Sequence, residues 1–138
     1  MSEQTTRLIT DLVDAWNAHD LDRIAAFYAP DYEGVDVAYP TPRRGREDIR
    51  QTMALYLQAF PDLRFNVESL IVQDNRAALA WIGRGTHQGK LMNIPPTGRE
   101  ITVRGTTFFT IQNCQISHGL HVWDVAGALR AIGLLPEL

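Results

Sequence analysis

The second half of the chain is written almost entirely in extended segments. Beyond Pro61, residues 63–72, 76–87, 101–111 and 115–123 each read as a strand. Asp74-Asn75 makes the first turn, and the loop from Gly89 to Gly98 carries the turn signals of Pro95-Pro96 and a closing glycine. The first half is helical instead. Leu8, Ile9, Leu12, Val13 and Trp16 form one apolar stripe, with Thr5 or Thr6 as the N-cap. Asp20 caps a short second helix carrying Leu21, Ile24, Ala25 and Phe27, which Pro30-Asp31 ends. Residues 32–39 form a short strand closed by Pro40-Thr41-Pro42. A helix over 45–60 then places Ile49, Met53, Tyr56, Leu57 and Phe60 on one face. A last short helix spans 125–132, with Gly133 as its C-terminal cap. Helices first and strands afterwards predict an α+β fold with an antiparallel sheet, not a parallel α/β fold. A strongly curved sheet of this kind, wrapped around the N-terminal helices, makes a cone with an interior pocket, a natural small-molecule site.

Composition narrows the function classes. The 138 residues are 45% hydrophobic and 21% charged, a globular profile, and a single domain over 1–138 of this size buries roughly 70% of its unfolded surface. Thirteen Lys and Arg against 16 Asp and Glu leave a net charge of −3, which argues against a nucleic-acid partner. No apolar run approaches the ~18 residues of a membrane span, and the first six residues are polar with no signal-peptide core. The lone Cys114 excludes an internal disulfide and a Cys-based zinc site. The expected setting is the cytoplasm. Four histidines in four separate contexts show no metal-ligand spacing, and neither a Gly-rich phosphate loop nor a serine-nucleophile elbow is present. The expectation is therefore no cofactor and no metal. Arg43-Arg44-Gly45-Arg46 reads as a solvated basic cluster.

The last hairpin predicts which side chains share a face. A two-residue turn at Asn113-Cys114 sets Ile111 opposite Ile116. Continuing that register pairs Phe108 with Gly119, Thr106 with His121 and Arg104 with Trp123. One face then carries Arg104, Thr106, Phe108, His121 and Trp123, a mixed set suited to a wet pocket. The other carries Ile101, Val103, Phe109, Ile111, Ile116, Leu120 and Val122, an oily set for helices or for a second subunit. An apolar face too large to stay exposed predicts a homodimer. A slip of one residue exchanges the two faces.

Several segments carry a family resemblance. Trp16-Asn17-Ala18-His19-Asp20, Tyr28-Ala29-Pro30-Asp31-Tyr32, Ala59-Phe60-Pro61-Asp62-Leu63, Gly85-Thr86-His87-Gln88-Gly89, Ile94-Pro95-Pro96-Thr97-Gly98-Arg99 and Trp123-Asp124…Gly127…Leu129…Ile132-Gly133 together resemble the SnoaL-like polyketide cyclases, a family of the nuclear transport factor 2-like superfamily. The resemblance implies the cone-shaped α+β fold and a cofactor-free intramolecular aldol condensation, in which an acidic C–H is deprotonated and the enolate closes a ring. It also implies an acid/base residue on the last long strand, in a His-Trp-Asp tripeptide. This chain reads Gly119-Leu120-His121 there, so His121 stands where the family carries its aspartate.

His121 is accordingly the candidate general base or acid on a hydrophobic, oxygenated small molecule, since an imidazole of pKa about 6.5 moves protons near neutrality. Its bland alternative is a hydrogen-bonded histidine on an exposed sheet face. Arg104 and Thr106 are expected to steady oxyanion charge, and Phe108 with Trp123 to hold a flat substrate. Trp16 and Tyr56 lie on apolar stripes and serve as core or as cavity wall. His87, among small residues, either joins the site or fixes the proline loop through a hydrogen bond. Asp124 precedes a helix and reads as a cap. Two other functions stay open. One is a non-catalytic ligand-binding or dimerising module. The other is epoxide-hydrolase-like water addition, which requires a carboxylate pair and an arginine inside the cone.

Overall fold

A computed structural model describes residues 2–137. Helices α1 (Ser2–Asn17) and α2 (Leu21–Ala26) precede strand β1 (Tyr28–Asp36), the two-residue β2 (Arg43–Arg44) and helix α3 (Gly45–Ala59). Strands β3 (Arg64–Gln73), β4 (Arg76–Thr86), β5 (Glu100–Gln112) and β6 (Gln115–Trp123) follow, and helix α4 (Val125–Ala131) comes last. This is the α+β order expected from the sequence. The strands form one curved, unclosed sheet in the order β2-β1-β6-β5-β4-β3. Its neighbours are antiparallel except β1 and β6, which run parallel. A parallel neighbour needs a long crossover, and everything from α3 to β5 supplies it.

Local chemistry explains most of the boundaries. Asp20 caps α2 by accepting from the Arg23 amide at 3.1 Å, and Asp124 caps α4 by accepting from the Gly127 amide at 2.8 Å. Gly133, at φ 90°, follows α4 as its left-handed cap. Two expectations need correction. Helix α1 begins at Ser2, ahead of the expected threonine cap; Thr5 lies inside it, buried, and its hydroxyl donates to the Asp74 carbonyl at 2.7 Å. Pro30-Asp31 does not separate helix from strand, because β1 already starts at Tyr28 and an irregularity between Tyr28 and Glu33 absorbs the proline.

The apolar stripe of α1 (Ile9, Leu12, Trp16) packs into a core shared with Tyr28, Leu79 and Phe109. A second cluster joins the end of α3 to α4 through Ala59, Phe60, Ile101, Val103 and Ile132. Between them α1 is clasped to the edge strand. The Asn17 amide donates to the Phe65 carbonyl at 3.0 Å and accepts from the Phe65 amide at 2.7 Å, as a strand neighbour would. No helix among the described residues is long and apolar enough to cross a membrane.

The β5–β6 hairpin turns at Asn113-Cys114 as expected, both residues having positive φ. Ile111 faces Ile116, again as expected, but the next pair is Thr110 with His118. Ser117 is the extra residue of a β-bulge, and both Ile116 and Ser117 are buried. The register beyond it is moved by one, so His121 pairs with Thr107 and Trp123 with Gly105.

Where β1 meets β6, Gly34 pairs with Gly119 and the Tyr32 ring lies across both. A Cβ on Gly119 would stand 2.5 Å from the Tyr32 hydroxyl oxygen but 3.4 Å from the nearest ring carbons. Gly119→Ala should therefore destabilise the protein by about 1–3 kcal/mol, as overpacking of a filled site does. In a Tyr32→Phe background most of that loss should disappear, which urea unfolding of the four proteins of the double-mutant cycle will measure.

Candidate active site

Strands β1 and β6 and helix α3 meet over a cavity of about 120 Å³. Its walls are mostly apolar and aromatic: Trp16, Phe65 and Trp81 on one side, Met53, Phe60 and Leu91 on the other. Trp16 and Trp81 each hold an edge or tilted contact with Phe65, at centroid distances of 5.2 and 5.4 Å. Asp36 and His121 interrupt this surface side by side, because the parallel register of β1 and β6 sets them directly opposite each other.

Asp36 is only 5% exposed, and a buried carboxylate needs donors. It has three. The Tyr56 hydroxyl donates to Oδ2 at 2.6 Å, the Trp123 indole N–H to Oδ1 at 2.8 Å, and the Ala38 amide to Oδ1 at 2.9 Å. Burial first, then the neighbouring Asp36 charge, push the Tyr56 phenol far above its ordinary range, so it stays a protonated donor. The same two causes raise Tyr32.

His121 stands edge-on to Phe109 at 5.8 Å, and its Nδ1 lies 3.0 Å from Thr107 Oγ1. Burial lowers its pKa below the ordinary 6.5 and outweighs the opposing attraction of Asp36. The ring is thus neutral at pH 7, the form suited to accept a proton or to donate one hydrogen bond without carrying charge. The residue is half-buried and lines the cavity.

Arg43 of β2 also lines the cavity, its guanidinium 4.5 Å above the Tyr39 ring. Trp16 Nε1, the Tyr32 hydroxyl and Arg43 Nε belong to lining residues and are buried with no hydrogen-bond partner among the described residues. Each can donate, so the cavity suits a guest rich in oxygen acceptors. Asp36 is the carboxylate among the described lining residues. The second carboxylate that the epoxide-hydrolase alternative requires is not among them.

Comparison with known proteins agrees with this fold. The family model of the SnoaL-like polyketide cyclases matches residues 6–132. The chain belongs to that family. AclR from Streptomyces galilaeus, described as a candidate hydroxylase, is 26% identical, with 100% of this chain and 90% of that one covered at a TM-score of 0.88. IdmH from Streptomyces antibioticus, a candidate polyketide cyclase, is 25% identical, covering 94% and 99% at 0.81. A candidate SnoaL-like polyketide cyclase from Jannaschia sp. CCS1 shares the fold at 22% identity, covering 99% and 96% at 0.89. A search of curated proteins finds no match.

In this SnoaL-like chain, His121, Trp123, Trp16 and Tyr56 all line the cavity. Four other expected residues, Arg104, Thr106, Phe108 and His87, do not. The bulge at Ser117 puts Thr107, not Thr106, beside His121, and so turns Arg104, Thr106 and Phe108 to the convex face. There Arg104 pairs with Glu68, and Phe108 is 45% exposed. The oily set divides as well: Ile101, Val103, Phe109, Ile111 and Ile116 are buried, while Leu120 and Val122 face outward. His87 is absent from the cavity wall. It is buried behind Phe60, where its Nδ1 accepts from the Thr97 amide at 3.3 Å and lies 2.9 Å from Thr97 Oγ1, which ties down the proline loop. The basic cluster is not simply solvated either, since Arg43 lines the cavity and Arg46 Nε donates to the Tyr28 carbonyl at 2.7 Å.

Asp36, Thr107 and Arg43 are the site residues that sequence reasoning missed. A signal for Asp36 was available: it lies in phase with Tyr32 and Gly34 on one face of β1.

His121 also carries a pH signature. Its folded pKa lies below the unfolded value of 6.5, so the unfolded chain takes up the proton first as pH falls. The stability that depends on a neutral ring is complete above about pH 6.5 and is lost as pH drops through the folded pKa. Urea unfolding of wild type and His121→Gln between about pH 8 and pH 5 should show the wild type losing more stability over that interval.

Proposed function

We propose that this chain is a cofactor-independent enzyme that moves a proton on a compact, oxygenated, hydrophobic small molecule, in a cyclisation, isomerisation or related enolate step. The observation that carries this reading is the pairing of Asp36 and His121 on adjacent strands at the wall of a mostly apolar cavity. A carboxylate and a neutral imidazole in a mostly apolar site divide the two tasks of enolisation, removal of a carbon-bound proton and stabilisation of the oxygen that gains charge. Family membership supports the same chemistry, with His121 at the position of the family aspartate. The cavity is of the order that admits a ring-sized guest, since an engineered cavity of ~150 Å³ takes benzene. Trp16, Tyr56 and Trp123 would hold it.

The test is deuterium exchange at the α-carbon of ring-sized ketones such as acetophenone, followed by NMR in D₂O. Wild type should accelerate exchange over buffer. Asp36→Asn and His121→Ala should each lower that acceleration ~10²-fold or more, with folding checked by circular dichroism. Saturable quenching of the tryptophans without any exchange would instead favour the non-catalytic binding module.

We also propose that the convex face is covered by a second copy of the chain. Val35, Leu120, Phe108, Ala78 and Ile71 are direct neighbours across β1, β6, β5, β4 and β3, and the four large ones are 38–66% exposed. A continuous apolar stripe is self-complementary about a twofold axis. Light scattering should give a dimer for wild type and a monomer for Phe108→Asp/Leu120→Asp; a monomeric wild type removes the proposal. With a net charge of −3, the proposal includes neither nucleic acid nor a membrane among the partners and sets the enzyme in the cytoplasm.

A further inference from the structure

We propose that Trp81 and Thr107 hold the His121 ring in one tautomer, with its proton on Nε2, so that the imidazole meets the substrate as a hydrogen-bond donor to a carbonyl oxygen and Asp36 takes the carbon-bound proton. This rests on the proton-transfer reading above and assigns its two roles.

The polarity follows from donors and acceptors. The Trp81 indole N–H points at Thr107 Oγ1 over 3.0 Å, and an indole nitrogen only donates. Thr107 Oγ1 therefore accepts there and has one proton left to give. Thr107 is completely buried, and His121 Nδ1, at 3.0 Å, is the other partner of its hydroxyl among the described residues. If Nδ1 carried the proton, two donors would point at Oγ1 and the hydroxyl proton would be buried without an acceptor. The chain consequently runs Trp81 N–H to Thr107 O–H to a bare Nδ1, which leaves the proton of the neutral ring on Nε2. Among the described residues Nδ1 is the ring nitrogen with a hydrogen-bond partner, and His121 lines the cavity.

The tryptophan is itself held for this purpose. Trp81 stands directly opposite Gly105, and a Cβ there would come within 2.2 Å of the indole. The missing side chain lets the ring lie across β5 and reach Thr107, while Phe65 packs edge-on at 5.4 Å. Trp81 and Thr107 are thus positioning residues, acting on the substrate only through His121.

A neutral ring protonated on Nε2 has no lone pair in the cavity and cannot be the base. Asp36 can. Its carboxylate has about four lone-pair sites and accepts three bonds from the described residues, which leaves one site for a substrate proton. In the step so assigned, the α C–H bond breaks and its proton goes to Asp36. The C–H electron pair forms the carbon–carbon double bond of the enolate, and the carbonyl π pair moves onto oxygen, which accepts the bond from Nε2–H. Nothing is oxidised or reduced, and Asp36 returns the proton to product.

The experiment is a long-range ¹H–¹⁵N correlation of the histidine rings in the labelled full chain near neutral pH. The His121 signals are assigned by their loss in His121→Gln. The expected pattern is a protonated Nε2 and a bare, hydrogen-bonded Nδ1; a bare Nε2 overturns the inference. In Thr107→Val the Nδ1 resonance should move to the position of a lone pair without a bond, and Thr107→Ser should restore it. An Nδ1 signal that ignores Thr107→Val also overturns the inference, and if that variant does not fold, the wild-type tautomer still decides. Ketone exchange should fall about tenfold or more in Thr107→Val and recover in Thr107→Ser. The tautomer needs no substrate to be read. A bare Nε2 therefore removes the relay and spares the proposed function, whereas an Nε2-protonated ring without ketone exchange removes the function and spares the relay.

Discussion

A carboxylate taken out of water must be surrounded by donors, and the geometry around Asp36 answers that demand. The three groups that reach it come from α3, from the end of β6 and from the chain just beyond β1. Satisfying one buried anion therefore fixes how the long helix, the last strand and the first strand lie relative to one another. The same bonds set the Trp123 indole and the Tyr56 ring edge to face at 5.9 Å, as part of the cavity wall. Stability and site share these contacts. A buried charge that loses one partner is costly, so the network resists rearrangement and keeps its remaining lone pair in place.

The second constraint is steric. Two paired glycines give the Tyr32 ring room across β1 and β6, and Gly105 gives the Trp81 indole room across β5. In each case the absence of a side chain on one strand admits an aromatic side chain from a nearby position. These aromatic rings fill the concave side of the sheet and leave a cavity of about 120 Å³ where they fail to meet. The hollow is thus a product of packing, and its few polar atoms are conspicuous against an apolar lining.

Much of the architecture was legible in the order of segments. The α1 stripe, the Asp20 and Asp124 caps, the four long strands and the Asn113-Cys114 turn follow from local periodicity and turn chemistry, which involve residues a few positions apart. The candidate site was legible only in part. Alternation along β6 sets His121 and Trp123 on one face whatever the pairing. The partner strand is another matter. One extra residue at Ser117 left no mark on the hydrophobic pattern, because Ile116 and Ser117 both pass as strand residues. It nonetheless exchanged Thr106 for Thr107 beside His121 and sent Arg104 and Phe108 to the outer face.

Asp36 shows the same limit from the other side. As one of three acidic residues in β1 it carries no mark of burial in the sequence, because two of the three groups that make its burial tolerable lie 20 and 87 residues away. By itself the sequence determined the class of fold, most of its helices and strands, the family resemblance and the shared face of His121 and Trp123 on β6. Only the tertiary structure decided which residues of β5 face the cavity, that a carboxylate stands next to His121, and that Thr107 and Trp81 lie behind its ring. Periodicity encodes what a strand buries, whereas register and hydrogen-bond partners arise from distant segments meeting.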